Sequence, residues 1–162
     1  MRALVKRISL MQKLKLSQIS TNTKVYKFSN YFDGLKRTSC SLIPDWSSFD
    51  PMEIAELLPW IAVIERNNES PSGHHYRLIG ESVIRLMGKN YTGKKLDEVL
   101  AGNQSNDHWK DLQTVVECRT PSFAQSVIPV ENRDFNKIIR GCFPFCDNTK
   151  NIIRLIIVLE VI

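Results

Sequence analysis

Few residues in this chain carry chemistry at a spacing that would let them use it. His74 and His75 are adjacent, Cys142 and Cys146 are four apart, Cys40 and Cys118 stand alone, and acids pair as Asp97-Glu98 and as Glu53 with Glu56. A histidine pair suggests a metal, but neighbours on a strand point to opposite faces and cannot chelate one ion without distortion. His74 and His75 therefore read as surface residues at the start of a strand. Cys142-x-x-x-Cys146 is at most half of a zinc site, which needs about four ligands in a tetrahedral array, and no second Cys or His pair stands near it in sequence. No metal is expected. The acid pairs fall beside helix starts or on exposed helix faces, where solvation and the helix dipole account for them. With no nucleophile elbow, phosphate loop, HExxH or carboxylate metal cluster, the sequence predicts no catalysis.

The elements that must position any site are those of one domain. At 162 residues the chain supports a single core that buries roughly two-thirds of its unfolded surface. Its composition, 43% hydrophobic and 24% charged, is that of an ordinary soluble protein. Charge is uneven: residues 1–40 hold nine Lys or Arg against Asp33 alone, while the remainder holds 13 against 16 acids. The basic excess belongs to an arm, so a nucleic-acid-binding surface spread over the domain is not implied. Nor does the arm interleave aromatic residues before Tyr26, as single-stranded nucleic acid would require. Lys6, Arg7, Lys13 and Lys15 interrupt Met1 to Leu16, so the continuous apolar core of a secretory signal is missing. No window approaches 18 apolar residues. The cysteines are expected as reduced thiols in a cytoplasmic protein.

Leu4, Val5, Ile8, Met11, Leu14 and Ile19 follow a nearly helical spacing among basic residues. This predicts either a frayed arm over residues 1–23 or a basic amphipathic helix, the latter suited to a partner or to an anionic membrane surface. A single domain follows over residues 24–162. Its first helix carries Tyr26, Phe28, Tyr31, Phe32 and Leu35 at helical spacing. Asp50, Pro51 and Glu53 mark a helix start, which Pro59 ends. Residues 60–66 and 74–79 read as antiparallel strands joined by the turn-forming loop 67–73. Glu81 to Met87 is a short helix stopped by Gly88 in the left-handed region, Asn90 to Gly93 a turn, and Leu96 to Leu100 one further helical turn. Trp109, Leu112, Val115 and Val116 define the buried face of a helix over 108–118. Strands over 122–130, 135–145 and 152–162 complete an α+β domain, and the apolar last strand belongs in the sheet centre.

The order of strand, glycine, short helix, glycine, polar turn and short helix from Tyr76 to Leu100 resembles the middle of a PAS domain. More narrowly, Leu57-Leu58-Pro59, Tyr76-Arg77-Leu78-Ile79-Gly80 and the Gly-x-x-x-Thr-Gly turn from Gly88 to Gly93 resemble a bacterial stand-alone PAS subfamily. The resemblance implies a five-stranded antiparallel sheet in the order 2-1-5-4-3 with helices on one face and an N-terminal flanking helix outside it. It further implies a sensory or protein-interaction module in cytoplasmic bacterial signalling, with a partner signalling protein and a plausible homodimer. Haem, which such modules hold through a histidine on the helical side, is disfavoured because residues 81–100 contain none. A covalently attached flavin is disfavoured because the Asn-Cys-Arg-Phe-Leu-Gln motif is absent. No output segment follows the last strand, so output is expected through protein contacts.

Short, glycine-punctuated helices over a curved sheet pack less densely than long ones, which predicts either a ligand pocket of a few hundred cubic ångströms or a solid core built from the same residues. The candidate pocket residues are Tyr76, Leu78, Val83, Ile84 and Met87, with Tyr91 or Arg140 as a polar anchor. No cofactor is expected beyond an unidentified small apolar or mixed ligand. Tyr26, Phe28, Tyr31, Phe32 and Leu35 form the candidate dimer or partner face, or else a lid over the core. A membrane surface remains the alternative partner, through residues 1–20.

Overall fold

Alternation along the last strand, β6 (Ile152–Val161), decides the architecture. Leu155 and Leu159 join one buried apolar cluster, and Ile156 and Val158 join another on the opposite face. A strand covered on both faces belongs inside a sheet, and β6 lies between β5 (Lys137–Cys146) and β2 (Ile61–Glu65). The computed structural model describes residues 11–39, 41–67, 73–100, 105–130, 132–133 and 136–162. With β1 (Gln12–Leu14), β3 (His75–Ile79) and β4 (Ser122–Val127), its sheet runs β1-β4-β5-β6-β2-β3, antiparallel at every pairing. Taken without β1, these strands have the order that the PAS resemblance implies.

β1 departs from the helical reading of the arm. Residues 1–10 lie outside the described residues, but Gln12, Lys13 and Leu14 are extended and pair with Gln125, Ala124 and Phe123 of β4. One 3-10 turn follows at Leu16–Gln18, and Ile19 is buried beside the first helix. Local spacing loses to tertiary demand here, because β4 would otherwise present a row of unpaired backbone groups at the sheet edge.

Helices cover both faces. On one side α1 (Lys24–Ser39) lays Val25, Phe28 and Phe32 against β5 and β6, with the rings of Phe28 and Phe32 tilted against that of Phe143 at 4.7 and 5.4 Å between ring centres. Beside α1 runs the segment Pro51–Trp60, which contributes Ile54 and Leu57. Asp50 caps it as expected, accepting from the Met52 amide at 2.9 Å, yet it forms a 3-10 helix broken at Ile54 and not an α-helix. Pro59 lies inside it and supplies no amide for an i→i−4 ladder. On the other side lie α2 (Glu81–Met87), α3 (Leu96–Val99) and α4 (Ser105–Cys118).

β3 holds a bulge that its sequence pattern does not announce. Leu78 pairs with Val63 and Tyr76 with Ile64, which leaves Arg77 without an opposite residue. One extra residue resets the alternation, so Tyr76 and Ile79 face inward while Arg77 and Leu78 are exposed. Beyond β3 the chain doubles back along the open edge: the Tyr76 amide donates to Lys94, and the Gly93 and Leu96 amides donate to Tyr76 and His74.

Candidate functional site

Two glycines set the crossing that builds the site. Gly80 joins β3 to α2 where a Cβ would lie 2.3 Å from the Leu58 carbonyl oxygen and 2.5 Å from that of Pro59, so only glycine lets the strand exit pass so close. Gly88 ends α2 with φ of 82°, a conformation open to glycine at no steric cost. α2 and α3 are short, at seven and four residues, and with the longer α4 they leave a cavity of about 60 Å³ against the sheet.

Ala62 and Ile64 of β2, Tyr76 of β3, Ile138 and Arg140 of β5, and Ile157 and Leu159 of β6 form the floor; Val83 and Met87 of α2, Leu96, Leu100, His108 and Leu112 form the roof, with Ile128 and Pro129 closing one end. Among the described residues the polar groups in this wall come from Tyr76, His108 and Arg140, and none of those lining it is acidic. One water needs about 10–15 Å³ of such space. The cavity therefore has room for only a few heavy atoms and is smaller than the few hundred cubic ångströms predicted from sequence.

Arg140 is the centre of a charged cluster. It is 3% exposed, donates from Nη1 to His108 Nδ1 at 2.6 Å and pairs through Nη2 with Asp111 Oδ2 at 3.3 Å. Ser122 donates to the same Asp111 oxygen at 2.8 Å, and Lys13 of β1 pairs with the other. Burial works to raise the Asp111 pKa, but the Arg140 charge and the hydrogen bonds from Lys13 and Ser122 outweigh it and hold the carboxyl below its ordinary range. Burial, reinforced by Arg140, pushes His108 down to about 3, so the ring is neutral. Because Nδ1 accepts from Arg140, the ring proton sits on Nε2, which makes no well-formed hydrogen bond among the described residues and has only a looser backbone contact with Val127, which works against the fall in pKa. Burial likewise pushes Tyr76 up to about 12, which keeps its hydroxyl protonated.

Of the pocket residues expected from sequence, Tyr76, Val83, Met87 and Arg140 line the cavity. Ile84 and Tyr91 pack against the same apolar cluster without lining it. Leu78 is corrected outright: it is 50% exposed because the bulge at Arg77 turns it to the other side of β3. The aromatic stripe of α1 is a lid. Phe28 and Phe32 are fully buried on the sheet and Tyr26, Tyr31 and Leu35 are partly buried around them, so the stripe is not a free partner face.

The histidine pair also differs from its surface reading. His74 is buried, accepts the Asn67 amide on Nδ1 at 3.0 Å and lies against Trp109. Its pKa falls to about 4 through burial, with help from Arg66 and His75. His75 is half-buried beside Glu65 at 3.4 Å. Cys142 and Cys146 are buried free thiols, and burial pushes Cys142 up to about 12. Cys40 lies outside the described residues. Among the described residues no group of three His, Cys, Asp or Glu is placed to hold a metal ion, and no helix is long and apolar enough to cross a membrane.

His108 and Asp111 are the site residues that the sequence reading passed over. The signal was present: positions 108, 111, 112 and 115 share one face of α4, so the stripe that buries Leu112 and Val115 buries a histidine and an aspartate with them. Arg140, the buried charge among the apolar residues of β5, is the charge that such a pair must meet.

Comparison with solved structures gives the same fold. VqmA bound to DPO superposes with a TM-score of 0.52 at 12% identity, over 68% of this chain and 56% of that one. The PAS domain of a protein from Colwellia psychrerythraea superposes at 0.53 and 9% identity, over 68% and 95%. The PAS-B domain of Drosophila melanogaster Cycle, W398A with bound glycerol, superposes at 0.50 and 12%, over 64% and 99%. This chain spans about half the length of the VqmA chains it matches. No curated protein matches it in sequence. A family model described as PAS domain matches residues 20–137, well over half of the sequence and all of the crossing from Gly80 to α4, and the chain belongs to the PAS domain family.

Proposed function

We propose that this chain is a non-catalytic sensory module that binds a small molecule in the cavity between α2–α4 and the sheet, and passes the bound state on through contact with a partner protein or a second copy of itself. The observation that carries the reading is the donor-bearing cavity itself. A PAS core that only packed would gain nothing from a buried arginine, histidine and tyrosine around about 60 Å³ of space, since buried polar groups cost free energy unless they are satisfied. Two similar folds, VqmA bound to DPO and Cycle PAS-B with bound glycerol, carry small molecules, which supports a binding role. The bacterial, cytoplasmic setting rests on the resemblance of Leu57 to Pro59, Tyr76 to Gly80 and Gly88 to Gly93, and a homodimer fits the VqmA dimer of Vibrio cholerae.

Native mass spectrometry of the purified full chain tests the reading. A co-purifying mass that disappears on denaturation, and whose loss shifts the NMR signals of Val83, Met87 and Ile138, is the expected result. A bare polypeptide mass, together with cavity signals that ignore small-molecule libraries, sinks the ligand-sensing part and leaves docking as the function.

A further inference from the structure

Taken as a ligand site, the cavity has a wall whose polarity is one-sided. Arg140 has donors only. His108 has spent its acceptor nitrogen on Arg140 and keeps an N–H on Nε2 that makes no well-formed hydrogen bond among the described residues, its one backbone contact being with Val127. Tyr76 supplies a protonated hydroxyl. Among the described residues no carboxylate lines the cavity, and Asp111, which pairs with Arg140, is already divided between Arg140, Lys13 and Ser122. A single negative charge shared by two cations leaves positive charge at Arg140 uncompensated, in surroundings from which water is largely excluded and electrostatic interactions are strong.

Size narrows the class. A cavity needs at least about 10–15 Å³ to hold one water, so the volume of about 60 Å³ takes a molecule of only a few heavy atoms. Apolar side chains from Ala62, Ile64, Val83, Met87 and Leu112 make up most of the wall, so the occupant is aliphatic apart from one polar end. A cation or a donor-only head would face Arg140 unfavourably, and a larger ring system exceeds the volume.

Resting on the ligand-binding reading above, we infer that the site selects a short aliphatic monocarboxylate, its carboxylate against Arg140 and His108 and its alkyl end among the side chains of β2 and α2. The anion supplies the acceptors that the donors lack and the charge that Asp111 only half provides.

Isobutyrate and isobutyramide test this, because the two have the same heavy-atom skeleton and differ in charge. Titrated into the full chain and followed by NMR at the cavity methyl groups, isobutyrate binds about tenfold to a hundredfold more tightly than isobutyramide, the factor of one charge-assisted hydrogen bond. The double variant Arg140→Met with Asp111→Asn, which leaves no buried charge unpaired, loses that preference, and Arg140→Lys retains most of it. Equal binding of the two probes to the native chain overturns the carboxylate and leaves small-molecule binding intact. Failure of both probes overturns the carboxylate too, and the co-purification experiment then decides separately whether the cavity binds anything.

Discussion

Asp111 and Arg140 face each other at 3.3 Å with side chains 1% and 3% exposed. The ion pair ties α4 to β5 beneath the cavity. Removing one partner from a buried pair strands a charge, at a cost of about 3–5 kcal/mol, while replacing both by neutral groups is often nearly neutral. Asp111→Ala should therefore lower the melting temperature by roughly 6–20 °C for a domain of this size. Arg140→Met in the Asp111→Asn background should recover most of the loss. Lys13→Ala should cost less than about 1 kcal/mol, because Lys13 remains 58% exposed and water screens its share of the contact. Urea denaturation of these variants, with Asp111→Asn and Arg140→Met also measured singly, checks the ranking, and an additive double variant would show that Asp111 and Arg140 are not coupled.

Acid should weaken the fold well before its carboxylates titrate. His74 and His108 are buried neutral, with pKa values of about 4 and about 3 against about 6.5 in the unfolded chain. Between those values the unfolded chain binds protons that the native chain refuses, so stability rises with pH and falls on acidification. From pH 7.5 to pH 5 each histidine contributes a loss of about 2 kcal/mol, at about 1.4 kcal/mol per unit. Asp111 has a lowered folded pKa, so its contribution is present above the ordinary carboxylate range and is lost only as pH falls below it. It adds nothing in this window. His108→Gln keeps an acceptor for Arg140 without titrating and should halve the loss. An unfolding free energy that stays flat from pH 7.5 to pH 5 would rule out two buried neutral histidines.

The bulge at Arg77 separates neighbours that a regular strand would place together. Met87→Ala empties part of the cavity roof and should cost about 2–5 kcal/mol. Leu78→Ala, on the exposed side of β3, should stay within about 0.5 kcal/mol. If Leu78→Ala destabilises as strongly as Met87→Ala, Leu78 faces the core and the pairing of Leu78 with Val63 is wrong.

The contrast between Leu78 and Gly80 shows what the amino-acid order can and cannot convey. Elements with a strong local period were legible: α2 from Glu81 to Met87, the buried stripe of α4, the central place of β6, and the glycine that stops α2. Features set by tertiary pairing were not. Gln12 to Leu14 lies in a stretch of helical spacing but is claimed by the open edge of β4, and one unpaired residue at Arg77 moves Leu78 out of the pocket while leaving the composition of the strand unchanged. For the site, Arg140 could be singled out because a charge in an apolar strand needs a reason. His108 and Asp111 could not be assigned to it from spacing alone, since their partner stands about thirty residues further along, on another element.

Gly80 offers the sharpest test of the crossing. Its backbone is extended, with φ of −66°, so any residue could adopt the conformation, and what excludes a side chain is space. The atoms in the way are the carbonyl oxygens of Leu58 and Pro59, at 2.3 and 2.5 Å from the position of a Cβ, and neither can rotate aside as a side chain could. Gly80→Ala should thus cost about 3 kcal/mol or more, at the upper end of overpacking penalties, and should disturb the amide signals of Leu58 and Ile61 as well as those of α2. Gly93 supplies the control, because a Cβ there meets open space and only its φ of 85° is strained, at a cost of about 1–2 kcal/mol. If Gly80→Ala proves the milder of the two, the Leu58–Pro59 segment gives way and its close approach is not what requires glycine at the strand exit.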